Sequence, residues 1–248
     1  MRGQLEAYFD AAFTAPDGIK RLRELILTLA VQGKLTDQRD SDEPASELLK
    51  KIAAEKKKLE KEGKIKKQKP LPPVGDDEKP YARPTGWEWV RLGSVGEVNP
   101  RNKADDSLDA AFVPMASIEA AHSDRHSFEI KSWGEIKKGF THLAEGDIGL
   151  AKITPCFENR KSCVFLGLPN SIGAGTTELH IFRNSCSVFI SQFALCYLKS
   201  PIYIQSAMAC MTGTAGQQRV PTNFFASFPI PLPPLAEQQR IVERVNSL

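Results

Sequence analysis

Apolar positions recur along this chain with two different periods, and the change between them divides it. Ile19, Leu22, Ile26, Leu29 and Gly33 fall at spacings of three and four. That is a heptad seam, flanked by Leu25 and Ala30, and it predicts a helix over 19–32. Asp17, after the break at Pro16, suits its cap, and Gly33 its end. A shorter helix over 1–15 carries Leu5, Phe9, Ala12 and Phe13 on one side. The seam returns at Ala45, Leu48, Ile52, Glu55 and Leu59. This predicts a second helix over 44–62, about 28 Å long. Asp40 and Glu43 have capping-box spacing, Pro44 suits a first turn and Gly63 a stop. Two such helices joined by a short polar loop predict an antiparallel pair of coiled-coil type.

Residues 64–84 are basic, then proline-rich, then acidic, with too few apolar side chains to build a core. The domain boundary is placed here: a helical region over 1–70, a linker over 71–85, and a globular domain over 86–232. Within that domain Trp87, Trp89 and Arg91 alternate with Glu88, Val90 and Leu92 on a first strand. Further strands are predicted over 112–118, 148–153, 162–166 and 177–182, and helices over 191–198 and 201–211. A loop at 213–216 and a one-turn helix at 221–225 follow. Pro229, Pro231, Pro233 and Pro234 alternate with Ile230 and Leu232, which predicts an extended edge strand. A helix then starts, with Glu237 in its early turns and one apolar stripe at Ile241, Val245 and Leu248. Such a helix is poorly stabilised unless another covers its stripe, so this end is expected to take a partner. The fold class is therefore α+β: a mixed α/β domain with long antiparallel coiled-coil helices, the last of which begins in 233–248.

Composition changes this picture little. Apolar residues make up 41% and charged residues 25% of 248 residues, ordinary for a water-soluble globular chain. No apolar run is long enough to span a membrane, and 1–13 lacks the apolar core of a signal peptide. The five cysteines, Cys156, Cys163, Cys186, Cys196 and Cys210, are odd in number and show no CxxC spacing; reduced, buried thiols in a cytoplasmic protein are expected. The net charge of +3 is unevenly placed. Between Lys50 and Lys69 ten lysines face three glutamates, a net of +7, so the remainder is acidic.

The chain carries neither a G-x-x-x-x-G-K-[ST] phosphate loop nor G-x-G-x-x-G. It also lacks the Asn/Asp-Pro-Pro-aromatic tetrapeptide that adenine methyltransferases share. It is therefore expected neither to hydrolyse ATP nor to transfer methyl groups. His122 and His126 have a zinc-compatible spacing, but Ser123 stands where a zincin needs glutamate, so two surface histidines are expected. Glu129-Ile-Lys131, repeated as Glu135-Ile-Lys137 with Asp124 upstream, matches the tail of a metal-dependent nuclease pattern; the second copy shows how cheaply it arises. Nothing in the spacing joins Cys156 to a histidine as a nucleophile pair.

Four polar clusters suit nucleic acid better. In the first, a strand ends in a turn holding Lys152, Asn159, Arg160 and Lys161. Asn pairs bidentately with adenine and Arg with guanine; the alternative is a solvated turn. In the second, glycines at 173 and 175 allow close approach and Thr176 or Thr177 offers a donor to phosphate, against a plain tight turn. The third offers Gln217, Gln218 and Arg219 after a flexible Gly213–Gly216 loop, with Arg219 equally able to pair with a carboxylate inside the domain. The fourth is the basic run over 50–69, a phosphate contact or a solvated helix face.

Several stretches resemble one family in order. LRELILTLAVQGKL, DEPASELLKKIAAEKKKL and KEGKIKKQKPLPP are similar to the N-terminal conserved helical region of specificity subunits of type I restriction-modification enzymes. PTGWEWVRLGSV resembles the start of their target-recognition domain. GDIGLAKITPCFENRK, GTTELHIFR and GTAGQQRVPTNFF resemble motifs inside it, and FPIPLPPLAEQQRIV its close. The resemblance implies a non-catalytic subunit whose domain reads one half of a split double-stranded DNA target. Helices would act as a spacer and dock methyltransferase subunits. Those subunits use S-adenosylmethionine, and a restriction subunit uses ATP and Mg²⁺. Two departures stand out. Most such subunits carry two recognition domains, so this chain reads as half a subunit or a truncated product, and the stripe at its end would let two copies pair. Arg160 stands where a small turn residue is expected.

Overall fold

The computed structural model describes residues 14–67, 69–184 and 189–247. The expected first helix lies almost wholly outside them, as do Cys186 and Leu248. In chain order come α1 (Gly18–Val31), α2 (Ala45–Lys61), β1 (Glu88–Arg91), α3 (Leu92–Val95), β2 (Gly96–Val98) and β3 (Asp109–Val113). Then come β4 (Glu129–Ser132), α4 (Trp133–Ile136), β5 (Thr141–Ala144), β6 (Ile148–Ala151), β7 (Ser162–Val164), β8 (Ile172–Gly175) and β9 (Leu179–Asn184). The chain continues through α5 (Ser191–Lys199), α6 (Pro201–Ala209), α7 (Thr222–Ser227), β10 (Pro229–Leu232) and α8 (Leu235–Asn246).

Two four-stranded sheets form the centre. One runs β2-β9-β6-β7, all antiparallel; the other runs β4-β3-β8-β5, with β3 and β8 parallel. A period of two explains why they stack. Leu179 and Ile181 of β9 meet Ala111 and Val113 of β3 and Leu143 of β5 in one apolar layer. The alternate residues of β9 face the other way: His180 stacks on Phe225, and Phe182 meets Phe189 edge-on. Ala110 of β3 turns to a third layer with Trp133 and Ile136 of α4. Gly173 is needed here for a close approach inside the protein: a Cβ on it would sit 2.6 Å from the Ala111 carbonyl and 2.7 Å from Leu143. The glycines read as a phosphate-approach loop are thus strand residues at a crowded sheet.

The largest core lies on the outer face of the first sheet and takes in the helices. Trp87, Phe157, Phe193, Tyr197, Tyr203 and Phe225 are fully buried in it. So are Ala30 and Val31 of α1, Ala45, Leu48 and Ile52 of α2, and Ile241 of α8. This corrects the expectation of a long antiparallel coiled coil. Helix α1 packs on α5, α6 and α8, while α2 packs on α3. At 14 and 17 residues they are ordinary helices. Both helices bury apolar residues in the same cluster as this aromatic layer. On α1 the buried residues are Leu27, Ala30 and Val31, not the heptad seam; Ile19 and Leu25 stay 52% and 53% exposed. On α2 the predicted seam at Ala45, Leu48 and Ile52 is the buried face.

The caps also come from elsewhere in the chain. Asp17 precedes α1 but makes no side-chain cap bond. Pro44, not Asp40, takes the N-cap position of α2; the Ala45 N–H donates to the Gly86 carbonyl at 2.8 Å, and Glu43 pairs with Lys51.

The 71–85 segment is held against the domain. Arg91 donates to the carbonyls of Pro72 and Pro73, both at 3.0 Å, and forks onto Glu78. That fork, with the Gly75 N–H, holds the Glu78 carboxyl down at about 2. Strand β10 pairs with β1, as its alternating prolines require of an edge. Beyond it α8 is fastened by its own chain. Trp87 Nε1 donates to Glu237 at 2.7 Å, the Ile190 N–H donates to Gln238 at 2.8 Å, and α1 and α5 cover Ile241. Of the expected stripe, Ile241 is thus buried within the chain and Val245 is half-buried, while Leu248 lies outside the described residues.

Candidate nucleic-acid interface

Strands β6 and β9 are antiparallel neighbours, with Ala151 opposite Leu179. The end of one strand and the start of the other therefore lie at the same sheet edge. Three of the four polar clusters meet there. The Lys152 N–H donates to the Glu178 carbonyl, and the Val220 N–H to the Lys152 carbonyl, each at 2.9 Å. The Thr154 N–H donates to the Gln218 carbonyl at 3.0 Å, and the Gln218 N–H returns to Thr154 Oγ1 at 3.1 Å. Arg219 forks onto Glu178, with Nε at 3.0 Å and Nη2 at 2.8 Å. That guanidinium holds the Glu178 carboxyl below its ordinary value. Loops far apart in sequence thus become one polar surface on a rigid sheet, a usual way to present recognition residues.

The residues expected to touch DNA take different roles. Asn159, Thr177 and Gln217 are exposed, while Lys152 and Gln218 are half-buried. Thr176 is a turn former, its hydroxyl accepting from the Glu178 N–H at 3.2 Å. Arg160 and Lys161 turn inward. Arg160 has φ +55° in the left-handed region, which explains why a small residue was expected there. Its Nη2 donates to Glu24 of α1 at 2.7 Å. Lys161 Nζ donates to the carbonyls of Met115 and Ile118 at 3.1 and 2.8 Å. Arg219 is the internal carboxylate partner that its residue type also allowed. The fourth cluster lies apart, on α2 and just after it, where Lys50, Lys51, Lys58 and Lys64 all pair with nearby glutamates.

Sequence reasoning missed Arg101. It is exposed and lines a cleft with Thr141, His142, Lys152 and Thr177. The only signal was a basic turn, Pro100-Arg-Asn-Lys103, which matches no motif by itself.

The other chemistries do not assemble. Asp124 borders a cavity with Arg23 and Lys199, while Glu129 pairs with Lys131 on the edge strand β4. Glu135 caps α4 by accepting from Ser132. His126 accepts from the Leu166 N–H at 3.0 Å, and half-buried His122 is pushed down to about 4 by burial. Among the described residues no three His, Cys, Asp or Glu side chains are gathered to hold a metal ion. Among them, too, no helix is long and apolar enough to cross a membrane. Cys156, Cys163, Cys196 and Cys210 are unbridged; Cys163 is buried, and burial pushes its thiol up to about 12.

The double sheet thus brings loops from distant parts of the chain to one edge and leaves polar side chains exposed there. Residues 84–248 match the family described as Type I restriction modification DNA specificity domain, and the chain belongs to that family. It is 54% identical over 232 residues to the type I restriction enzyme EcoAI specificity subunit of Escherichia coli, and 55% identical over 232 residues to the EcoEI specificity subunit. Each match covers 93% of this chain but only 39% of the relative. A crystal structure of the HsdS subunit from Thermoanaerobacter tengcongensis superposes with a TM-score of 0.56 at 24% identity, over 68% of this chain and 44% of that one. That likeness speaks for the fold alone.

Proposed function

We propose that this chain selects a DNA sequence and leaves the reaction to partner subunits. The observation that carries this reading is the convergence of Lys152, Thr177, Gln217 and Gln218 on one sheet edge, with Asn159 on the loop that follows Lys152. It combines amide groups suited to base edges with amine and hydroxyl groups suited to phosphate. Membership of the specificity-domain family supports it. In this reading the domain grips one half of a bipartite double-stranded target. The helices dock methyltransferase subunits and, through them, a restriction subunit. S-adenosylmethionine, ATP and Mg²⁺ belong to those partners, the chain is non-catalytic, and the assembly works in the cytoplasm. Pairing of two such chains through helix faces belongs to the same reading. With Ile241 buried, it would use the remainder of the C-terminal stripe, Val245 and Leu248. Sedimentation showing only monomer at high concentration would exclude it.

The test is to reconstitute the chain with its methyltransferase subunits, map the methylated target, and substitute Asn159, Gln217 and Gln218 by Ala. Relaxed preference at individual base pairs, each by roughly 1–3 kcal/mol, is expected. Unchanged binding in all three would favour a protein scaffold instead. DNA cleavage by the pure chain with Mg²⁺ would favour the nuclease reading.

A further inference from the structure

Asn159 sits on a loop that is pinned from outside the sheet. Its carbonyl accepts from the Ala121 N–H at 2.7 Å. The next residue, Arg160, is held in the left-handed region at φ +55°, a conformation that costs a non-glycine residue about 1–2 kcal/mol and persists only when its surroundings fix it. Those surroundings come from three parts of the chain. Lys199, a buried residue of α5, donates to the carbonyls of Ala121, Ser123 and Arg160. Ser162 Oγ donates to the Arg160 carbonyl at 3.2 Å. The guanidinium of Arg160 reaches Glu24 of α1 at 2.7 Å, with side-chain exposures of 10% and 26%. Glu24 lies 136 residues away in sequence and outside the matched 84–248 domain. A buried guanidinium deprived of its carboxylate must find another partner, so loss of Glu24 would move the turn that carries Asn159.

We propose that Glu24 is a positioning residue for DNA recognition: through Arg160 it sets the loop that presents Asn159, so that α1 tunes base preference without touching DNA. This rests on the DNA-recognition reading above. Helix α1 is anchored independently by Leu27, Ala30 and Val31, and alanine is a good helix former, so Glu24→Ala leaves the helix in place.

The experiment reconstitutes the full chain with its methyltransferase subunits and selects bound duplexes from a library randomised over the target. It is run for the native chain, Glu24→Ala, Glu24→Gln and Asn159→Ala. Ratios between bound sequences do not depend on the fraction of active protein, so general destabilisation leaves them unchanged. Glu24→Ala is expected to lose about tenfold discrimination at the same base pair that Asn159→Ala relaxes. Glu24→Gln, which keeps an acceptor oxygen, is expected to recover part of it. A native profile in Glu24→Ala, a loss spread over all positions, or a loss at base pairs that Asn159→Ala leaves alone would overturn the proposal while leaving the DNA reading intact. If alanine substitutions of Asn159, Gln217 and Gln218 all leave selection unchanged, the DNA reading itself fails, and the proposal with it.

Discussion

Arg219 grips Glu178 with two nitrogens of one guanidinium, and this fork fastens the 212–219 loop to the turn before β9. Both side chains are partly exposed, at 41% and 27%. Solvent screens the pair, so it adds little to stability; its effect is on where the loop sits. Arg219→Ala is expected to lower target affinity by about tenfold, because the loop must then be ordered on binding. Arg219→Lys should restore little, since an ammonium cannot fork onto a carboxylate. Fluorescence anisotropy on the reconstituted complex, with urea unfolding of the chain, separates affinity from stability. Full affinity in Arg219→Ala would show that the loop's position does not matter.

Lys152 and exposed Arg101 line the same cleft. Two cations lining one polar cleft suit the DNA backbone rather than a base. Lys152→Ala is expected to weaken binding to all sequences alike and to reduce the slope of log affinity against log salt by about 1. A salt titration checks this. An unaltered slope with altered base preference would reassign Lys152 to base contact.

Trp87 Nε1 donates to Glu237 inside the core, where burial raises the carboxyl above its ordinary value despite the bonds from Trp87 and Gln38. Glu237→Ala leaves a buried indole N–H without its acceptor. It is expected to cost about 1–3 kcal/mol. Trp87→Phe in the Glu237→Ala background should then add less than it does alone, because the bond is already gone. Urea unfolding of the four chains measures the coupling, and strictly additive losses would show that the contact matters little.

His180 is a buried neutral imidazole. Nε2 donates to the Val220 carbonyl at 2.8 Å, and Nδ1 is buried with no partner among the described residues. Burial pushes its pKa down to about 4 from 6.5. Between those values the unfolded chain binds the extra proton and the folded chain does not. Stability is thus complete above pH 6.5 and falls as pH drops towards 4. From pH 7 to pH 5 this one group accounts for about 2 kcal/mol. His122, also near 4, acts in the same direction. His180→Gln should be less stable at pH 7 but lose less on acidification, as denaturation midpoints at the two pH values would show. An equal loss in both chains would remove His180 from the account.

Residue order by itself determined the local elements. The expected helices over 19–32 and 44–62 match α1 and α2 to within a residue, and the proline-alternating strand and the helix after it are present. Periodicity, proline and glycine act over a few residues, so they are readable without the fold. The short strands β2, β4, β5 and β8 were not legible, because three or four residues show too little alternation; β8 in particular read as a glycine loop. Nor could spacing choose between the two apolar stripes of α1, or say that α2 would pack on the domain rather than on its neighbour. The polar clusters were visible as residue types, but their division of labour was not. Only tertiary structure turned Arg160 towards Glu24 and Arg219 towards Glu178, while leaving Asn159 and Gln217 in solvent. Which side chain meets which across 136 or 41 residues is set by sheet register and core burial together, and these are properties of the whole chain.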